Sequence, residues 1–150
     1  MPRLFLLDTS VLLHWVRDDH IAQAVEERYH LEGSPFRPLV CEVSLGEMLA
    51  FSRQLKWGAA KQRRLGELWK RLVVVNLSDR RIHETYADLS TLARQKGWAI
   101  FNAKNDLWIA AAARVTEAHL LTLDTDFRPL RSEAGWAIDV LDAQTGALLP

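Results

Sequence analysis

Arg3-Leu4-Phe5-Leu6-Leu7-Asp8-Thr9-Ser10 decides the reading of this chain. A short apolar run stops at an acid, and the acid is followed by two hydroxyl residues of the kind that start helices. Val11, Leu12 and Trp15 then recur at helical spacing. The pattern predicts a buried strand that ends at Asp8 and turns directly into a helix.

The same sentence repeats along the chain. Asp18-Asp19 breaks the first helix, a second short helix is predicted over 21–29, and Gly33-Ser34-Pro35 marks a loop. Pro38-Leu39-Val40-Cys41 is the next strand, and residues 42–55 carry Leu45, Met48, Leu49, Phe51 and Leu55 on a helical period. A further helix is expected over 59–68. Leu72-Val73-Val74-Val75 is wholly apolar and β-branched, the composition of a strand buried on both faces. Ser78 is the expected cap of a long helix with Ile82, Tyr86, Leu89, Leu92 and Ala93 on one side, closed by Gly97. Asp106 is expected to open the most apolar helix, Leu107-Trp108-Ile109-Ala110-Ala111-Ala112-Ala113, whose small side chains suit close packing on a sheet. Strands follow at 119–123 and 137–141. The tail, 142–150, is expected to be loosely ordered.

Strands alternating with helices imply an α/β fold, a three-layer α/β/α sandwich around a mostly parallel sheet of about five strands. With 150 residues, 49% apolar and 25% charged, the chain reads as a single globular domain over 1–150, its core at about 4–141. Lys+Arg and Asp+Glu balance at 19 each, so net charge speaks neither for nor against a nucleic-acid partner. One cysteine, Cys41, excludes an internal disulfide, and the five histidines are scattered without a zinc-ligand pattern. The apolar run before Asp8 is too short for a signal peptide, and no run approaches the length of a membrane span. A cytoplasmic location without membrane contact is expected.

In an open parallel sheet, ligands bind beyond the carboxyl ends of the strands. Asp8, Glu47, Asp106, Asp124 and Asp126 all belong to that edge, although they are spread over most of the chain. Carboxylates so gathered repel one another unless a cation lies among them. Hard oxygen donors, with no cysteine and no placed histidine, suit Mg²⁺ or Mn²⁺ better than zinc. Such an ion is suited to phosphodiester hydrolysis. Thr9, Ser10, Thr122, Asn102 and Asn105 neighbour these acids and could orient them.

Each acid also has a plain structural role open to it. Asp8 could cap the first helix, and Asp106 could gain from a helix dipole. Glu47 could close a capping box with Ser44, although a helix beginning near Glu42 weakens that. Asp124 and Asp126 could be turn acids. Taken together, these roles leave the gathering at one edge unexplained. Glu42 competes with Glu47 but points to another helix face, and reads as a solvated or helix-start charge. Trp108 reads as core, and Trp15, Trp57 and Trp69 as packing or partner surface. Lys56, Lys61, Arg63, Arg64, Lys70 and Arg71 ordinarily make a solvated face, with an RNA backbone the functional alternative. Arg80-Arg81, at a helix start where the dipole disfavours them, are candidates for phosphate contact.

The motifs Leu7-Asp8-Thr9-Ser10, Leu45-Gly46-Glu47-Met48-Leu49, Asn105-Asp106-Leu107-Trp108-Ile109-Ala110-Ala111 and Leu121-Thr122-Leu123-Asp124-Thr125-Asp126-Phe127 resemble, in order and spacing, the PIN-domain ribonucleases. Within them they look most like the VapC-type toxins of toxin–antitoxin pairs, from about Leu4 to about Leu141. The resemblance implies an Mg²⁺- or Mn²⁺-dependent endoribonuclease with Asp8, Glu47, Asp106 and Asp124 as metal-binding acids. The position of the last acid varies in the family, which leaves Asp126 as a fifth candidate. It also implies a cognate antitoxin, a homodimer, and promoter DNA bound only through the antitoxin. One departure is Cys41, six residues before Glu47, where a serine is expected. A catalytically inactive PIN-like module that binds RNA or protein is the alternative, but it would be expected to have lost an acid. A receiver-like signalling domain would need an acid pair after the first strand and a late lysine, and the last lysine is Lys104. A related DNA 5′-nuclease would need a longer chain with a helical arch.

Overall fold

A computed structural model describes residues 3–150. Five strands form one sheet in the order β3-β2-β1-β4-β5, and every neighbouring pair is parallel. They are β1 (Phe5–Leu7), β2 (Leu39–Cys41), β3 (Val73–Val75), β4 (His119–Thr122) and β5 (Ile138–Val140). Between them run α1 (Thr9–Arg17), α2 (His20–Tyr29), α3 (Glu42–Gln54), α4 (Ala59–Lys70), α5 (Arg80–Lys96) and α6 (Lys104–Val115). Two 3₁₀ segments, Ala99–Asn102 and Thr125–Ser132, precede α6 and follow β4.

Alternation along the strands builds the two helical layers. Leu6, Leu39, Cys41 and Leu120 point into a core made with Ile82, Leu89, Leu107 and the alanines of α6. Phe5, Leu7, Val40 and Leu121 point the other way, onto Val11, Leu12, Ile21, Met48 and Leu68. Ala110, Ala111 and Ala112 are wholly buried beside Leu107 and Ile109, and their small side chains let α6 pack closely on its neighbours.

The elements fall where the sequence predicts them, with four differences. Val73 and Val74 are 37% and 46% exposed, so β3 is not buried on both faces. It is the edge strand and packs against β2 alone, which leaves its β-branched residues half in solvent. Ser78 does not cap α5. Asp79 does, accepting from Arg81 N at 2.8 Å, while Ser78 N is taken by Asn76 Oδ1. Asp106 does not open α6 but sits in its first turn, two residues inside. The segment 142–150 is tied down. Asp142 Oδ1 accepts from Gln144 N and Thr145 N, Leu141 and Leu148 form an antiparallel bridge, and Leu149 N donates to Val140 O at 2.9 Å. An aspartate able to fold the next turn onto itself supplies the order that composition did not suggest. Gly97 ends α5 as expected, with φ +70°.

Close packing of α6 makes a contrast. Ala111→Leu is expected to cost about 1–3 kcal/mol through overpacking. Val74→Thr on the exposed edge should stay within about 0.5 kcal/mol of wild type. Urea denaturation of the two variants measures both, and equal midpoints would contradict the layer assignment.

Candidate metal centre

The chain progresses outward from β1 in both directions, to β2 and β3 on one side and to β4 and β5 on the other. The crevice above the carboxyl ends of β1 and β4 is therefore the switch point where such sheets bind ligands. Asp8 follows β1 immediately, and Asp124 stands two residues past β4.

Asp8 occupies the N-cap position of α1, yet its side chain caps nothing there. It is 3% exposed and is held across the sheet instead. Ser10 Oγ and Thr122 Oγ1 each donate to its Oδ2 at 2.7 Å. Both hydroxyls are themselves fixed by backbone amides. Leu123 N donates to Ser10 Oγ and Asp124 N to Thr122 Oγ1, each at 3.0 Å. Each hydroxyl thus receives a main-chain proton and passes its own to the carboxylate. This locks the strand ends β1 and β4 together through one carboxylate oxygen, and leaves Oδ1 outside both side-chain bonds.

Glu47 is positioned in the same manner. Thr9 Oγ1 donates to its Oε1 at 2.7 Å and lies 2.7 Å from the buried Ser44 Oγ. Since α3 begins at Glu42 with Cys41 at its N-cap, Ser44 is inside the first turn and makes no capping box. Glu42 is the helix-start charge and accepts from Leu77 N at 3.0 Å.

Asp106 is drawn into the same electrostatic neighbourhood. Burial pushes its carboxyl up to about 8, and the charges of Asp8, Asp124 and Glu47 add to the rise. Burial also raises Asp8, against the lowering effect of its hydroxyl donors. None of the four acids forms an ion pair among the described residues. Nor are any three of the described acids, histidines and cysteines already close enough to make a finished cage. Asp8, Asp124 and Glu47 thus act electrostatically on Asp106, and a side-chain hydrogen bond with Asp124 adds to the rise.

The remaining candidates separate. Asp124 accepts from Asp126 N at 2.9 Å, so the turn role is real for its Oδ1. Asp126 is half-buried and contributes only that amide to the arrangement. Asn102 and Asn105 are exposed, and no hydrogen bond ties either to an acid among the described residues. Thr9, Ser10 and Thr122 do the orienting, with Ser44 added. The sequence offered a signal for Ser44, three residues before Glu47, but that signal pointed to capping. Cys41 is buried, and burial pushes its thiol up to about 11, so it stays neutral beside the acids.

The basic candidates are largely occupied. Arg80 pairs with Glu84 and Arg81 with Asp79, both at the surface. Lys70 pairs with Glu67 and Arg71 with Glu32, while Lys61 lies 4.2 Å over the Trp57 ring. Trp108 stacks on Tyr86 with ring centres 3.9 Å apart, as a packing residue should.

Carboxylates held by hydroxyls thus stand at the switch point of a parallel sheet. The family model of the PIN domain matches residues 5–132, and the chain belongs to the PIN-domain family. Among curated protein sequences none matches it. Several solved structures share the fold. The crystal structure of VapBC2 from Rickettsia felis, bound to a DNA fragment from its promoter, superposes with a TM-score of 0.73 at 22% identity. That match covers 91% of this chain and 98% of the other. VapBC-1 from nontypeable Haemophilus influenzae gives 0.71 at 20% identity over 91% and 97% of the two chains. VapBC-5 of Mycobacterium tuberculosis, a member of the VapBC toxin–antitoxin systems, gives 0.66 at 24% identity over 93% and 100%.

Two outcomes test this geometry. Thr122→Val removes a buried donor from Asp8 and a part-buried acceptor from Asp124 N, and should cost about 1–3 kcal/mol. Asp106 is raised on folding, so the folded chain holds a proton that the unfolded chain has released. Stability then falls as pH rises from about 4 through about 8. In EDTA the melting temperature should drop across that window and Asp106→Asn should flatten the drop. Mg²⁺ or Mn²⁺ should raise the melting temperature more at pH 8 than at pH 5. A wild-type profile identical to that of Asp106→Asn would remove the shared charge from the account.

Proposed function

We propose that this chain is a VapC-type toxin: an Mg²⁺- or Mn²⁺-dependent endoribonuclease that cuts cellular RNA and is neutralised by a cognate antitoxin. The observation that carries the reading is the coupling at Asp106. Three further carboxylates act on it, and among the described residues no cation pairs with any of the four. An enzyme without a use for the cluster would be more stable with one acid replaced.

The donor set fits a hard divalent ion, since carboxylate oxygens are its preferred ligands. Asp8, Glu47, Asp106 and Asp124 would hold it, and Asp126 is the reserve candidate. When bound, such an ion supplies Lewis acidity, lowering the pKa of water and offsetting charge that develops on a phosphate. The chain's own contribution is orientation. Ser10 and Thr122 fix Asp8 in one rotamer, Thr9 fixes Glu47, and the main-chain amides of Leu123 and Asp124 fix the hydroxyls. Burial and the neighbouring carboxylates hold the Asp106 carboxyl up to about 8, so a proton there would limit repulsion among the four acids.

An antitoxin partner is supported by the VapBC structures that share this fold. A homodimer, with promoter DNA engaged only through the antitoxin, belongs to the same reading, as does a cytoplasmic site of action. No helix among the described residues is long and apolar enough to cross a membrane.

Purified protein, freed of its partner, should cleave RNA with Mg²⁺ or Mn²⁺ and stop in EDTA. Asp8→Asn and Asp106→Asn should abolish cleavage while leaving the circular dichroism spectrum intact. Thr9→Val should lower the rate by about 10- to 100-fold, as loss of an orienting bond does. If either Asp variant cut RNA at the wild-type rate, the metal-site assignment would be wrong. An inert wild-type protein that still binds RNA would favour the inactive module.

A further inference from the structure

A second cluster of charged and aromatic side chains lies at the other end of the strands. Phe5 and His119, the first residues of β1 and β4, are partners in register, whereas Asp8 comes after the last residue of β1. A cavity of about 400 Å³ opens there, lined by Arg3, Phe5, Arg28, Tyr29, Asp139 and Leu148. Its volume falls within the range of small-molecule sites.

Charge in this cavity is unevenly matched. Tyr29 Oη donates to Asp139 Oδ2 at 2.7 Å, and His119 Nε2 stands 2.9 Å from Oδ1, an ion-pair distance without hydrogen-bond alignment. The Asp139 carboxylate is thus faced by a phenol and an imidazole rather than by an arginine. Arg3 and Arg28 are exposed and form no ion pair among the described residues. Both nonetheless act at one point. Burial and Asp139 push the Tyr29 phenol up, and the charges of Arg28 and Arg3 oppose the rise. The helix dipole accounts for Arg28, in the last turn of α2, but not for Arg3, which precedes β1. The apolar wall is Leu148, 40% exposed, with the Phe5 ring, whose centre lies 5.3 Å from Tyr29 and 5.8 Å from His119 in edge-to-face contacts.

We propose that this cavity binds a nucleoside 5′-monophosphate, its phosphate on Arg3 and Arg28 and its base against Tyr29 and Leu148. Guanidinium forks match phosphate oxygens two at a time. A phosphate monoester carries about 1.5–2 negative charges near neutral pH. Two guanidiniums balance that, whereas a lone carboxylate would leave one unmatched. Asp139 is the one negative charge in the lining. Its oxygens are engaged by Tyr29 and His119, which leaves both guanidiniums free for a ligand. A free nucleotide and the phosphorylated 5′ end of an RNA present the same chemistry. The site is separate from the four acids and does not depend on what they do.

The test is calorimetric titration of the whole protein in EDTA with adenosine 5′-monophosphate, inorganic phosphate and adenosine, backed by the melting-temperature shift each ligand gives. The monophosphate should bind about fivefold or more tightly than inorganic phosphate, and adenosine should bind far more weakly than either. Arg3→Gln and Arg28→Gln should each weaken the monophosphate about fivefold or more. Leu148→Ser should remove its advantage over inorganic phosphate. Asp139→Asn, which takes away the one like charge, should tighten binding, a direction that a merely structural role would not give. Each variant is referred to its own ligand-free melting temperature, so loss of the Arg28 dipole contact does not count as loss of ligand. A 5′-phosphorylated trinucleotide that displaces the monophosphate, where its 5′-hydroxyl counterpart does not, assigns the site to an RNA end. Failure to displace it assigns a free nucleotide. Absence of binding at millimolar monophosphate would overturn the site. So would equal affinity for monophosphate and inorganic phosphate, adenosine binding as well as the monophosphate, or affinity unchanged in both arginine variants.

Discussion

Everything at the carboxyl edge of the sheet is arranged around mutual repulsion. Four carboxylates from four parts of the chain are brought within electrostatic reach, and the described residues offer them hydroxyls and amides rather than cations. A lysine or arginine in the crevice would have relieved that repulsion. The parallel sheet makes the alternative possible. Its strand ends all face one way, so residues more than a hundred positions apart become neighbours without a long loop. The Thr122 hydroxyl joins the end of β4 to Asp8 at the end of β1, over a separation of 114 residues.

The hydroxyls therefore have two functions that cannot be separated. They orient acids, and they close the top of the sheet by accepting main-chain protons that the strand ladders no longer use. Ser10 and Thr122 are placed where a strand has just ended and its next amide needs an acceptor. The site is assembled from the loose ends of the fold, which is why its geometry is as rigid as the sheet beneath it.

How much of this could be read in the sequence depends on the range of the interaction. Strand and helix identities came from local periodicity, as did the direction of the sheet, and these hold. So does the convergence on one edge of Asp8, Glu47, Asp106 and Asp124, because a parallel sheet leaves little choice about where residues after a strand will lie. What could not be read was which hydroxyl meets which acid. Ser44 suggested a cap because only its local neighbours were visible, whereas its partner is Thr9, 35 residues away. Asn102 and Asn105 looked suitable by adjacency and turned outward, since adjacency in a helix says little about facing. The valines of β3 misled for a related reason. Composition registers a liking for sheets, but not whether a strand lies in the middle or at the rim. Order in 142–150 comes from the Asp142 side chain, one bridge and contacts of its carbonyls with His20, Arg128 and Arg131, none of which leaves a periodic mark.

The outer side of β3 has a consequence of its own. Its main chain is a short open ladder, flanked by exposed valines and joined to the sheet through β2 only. An open ladder is a template for a foreign extended segment. Three residues give it little reach, and Lys70, Arg71 and Asn76 at its ends discourage stacking of copies. Brevity and flanking polarity are what limit pairing at this rim, so lengthening the strand by two apolar residues would be expected to turn a tolerated edge into a seam for polymerisation.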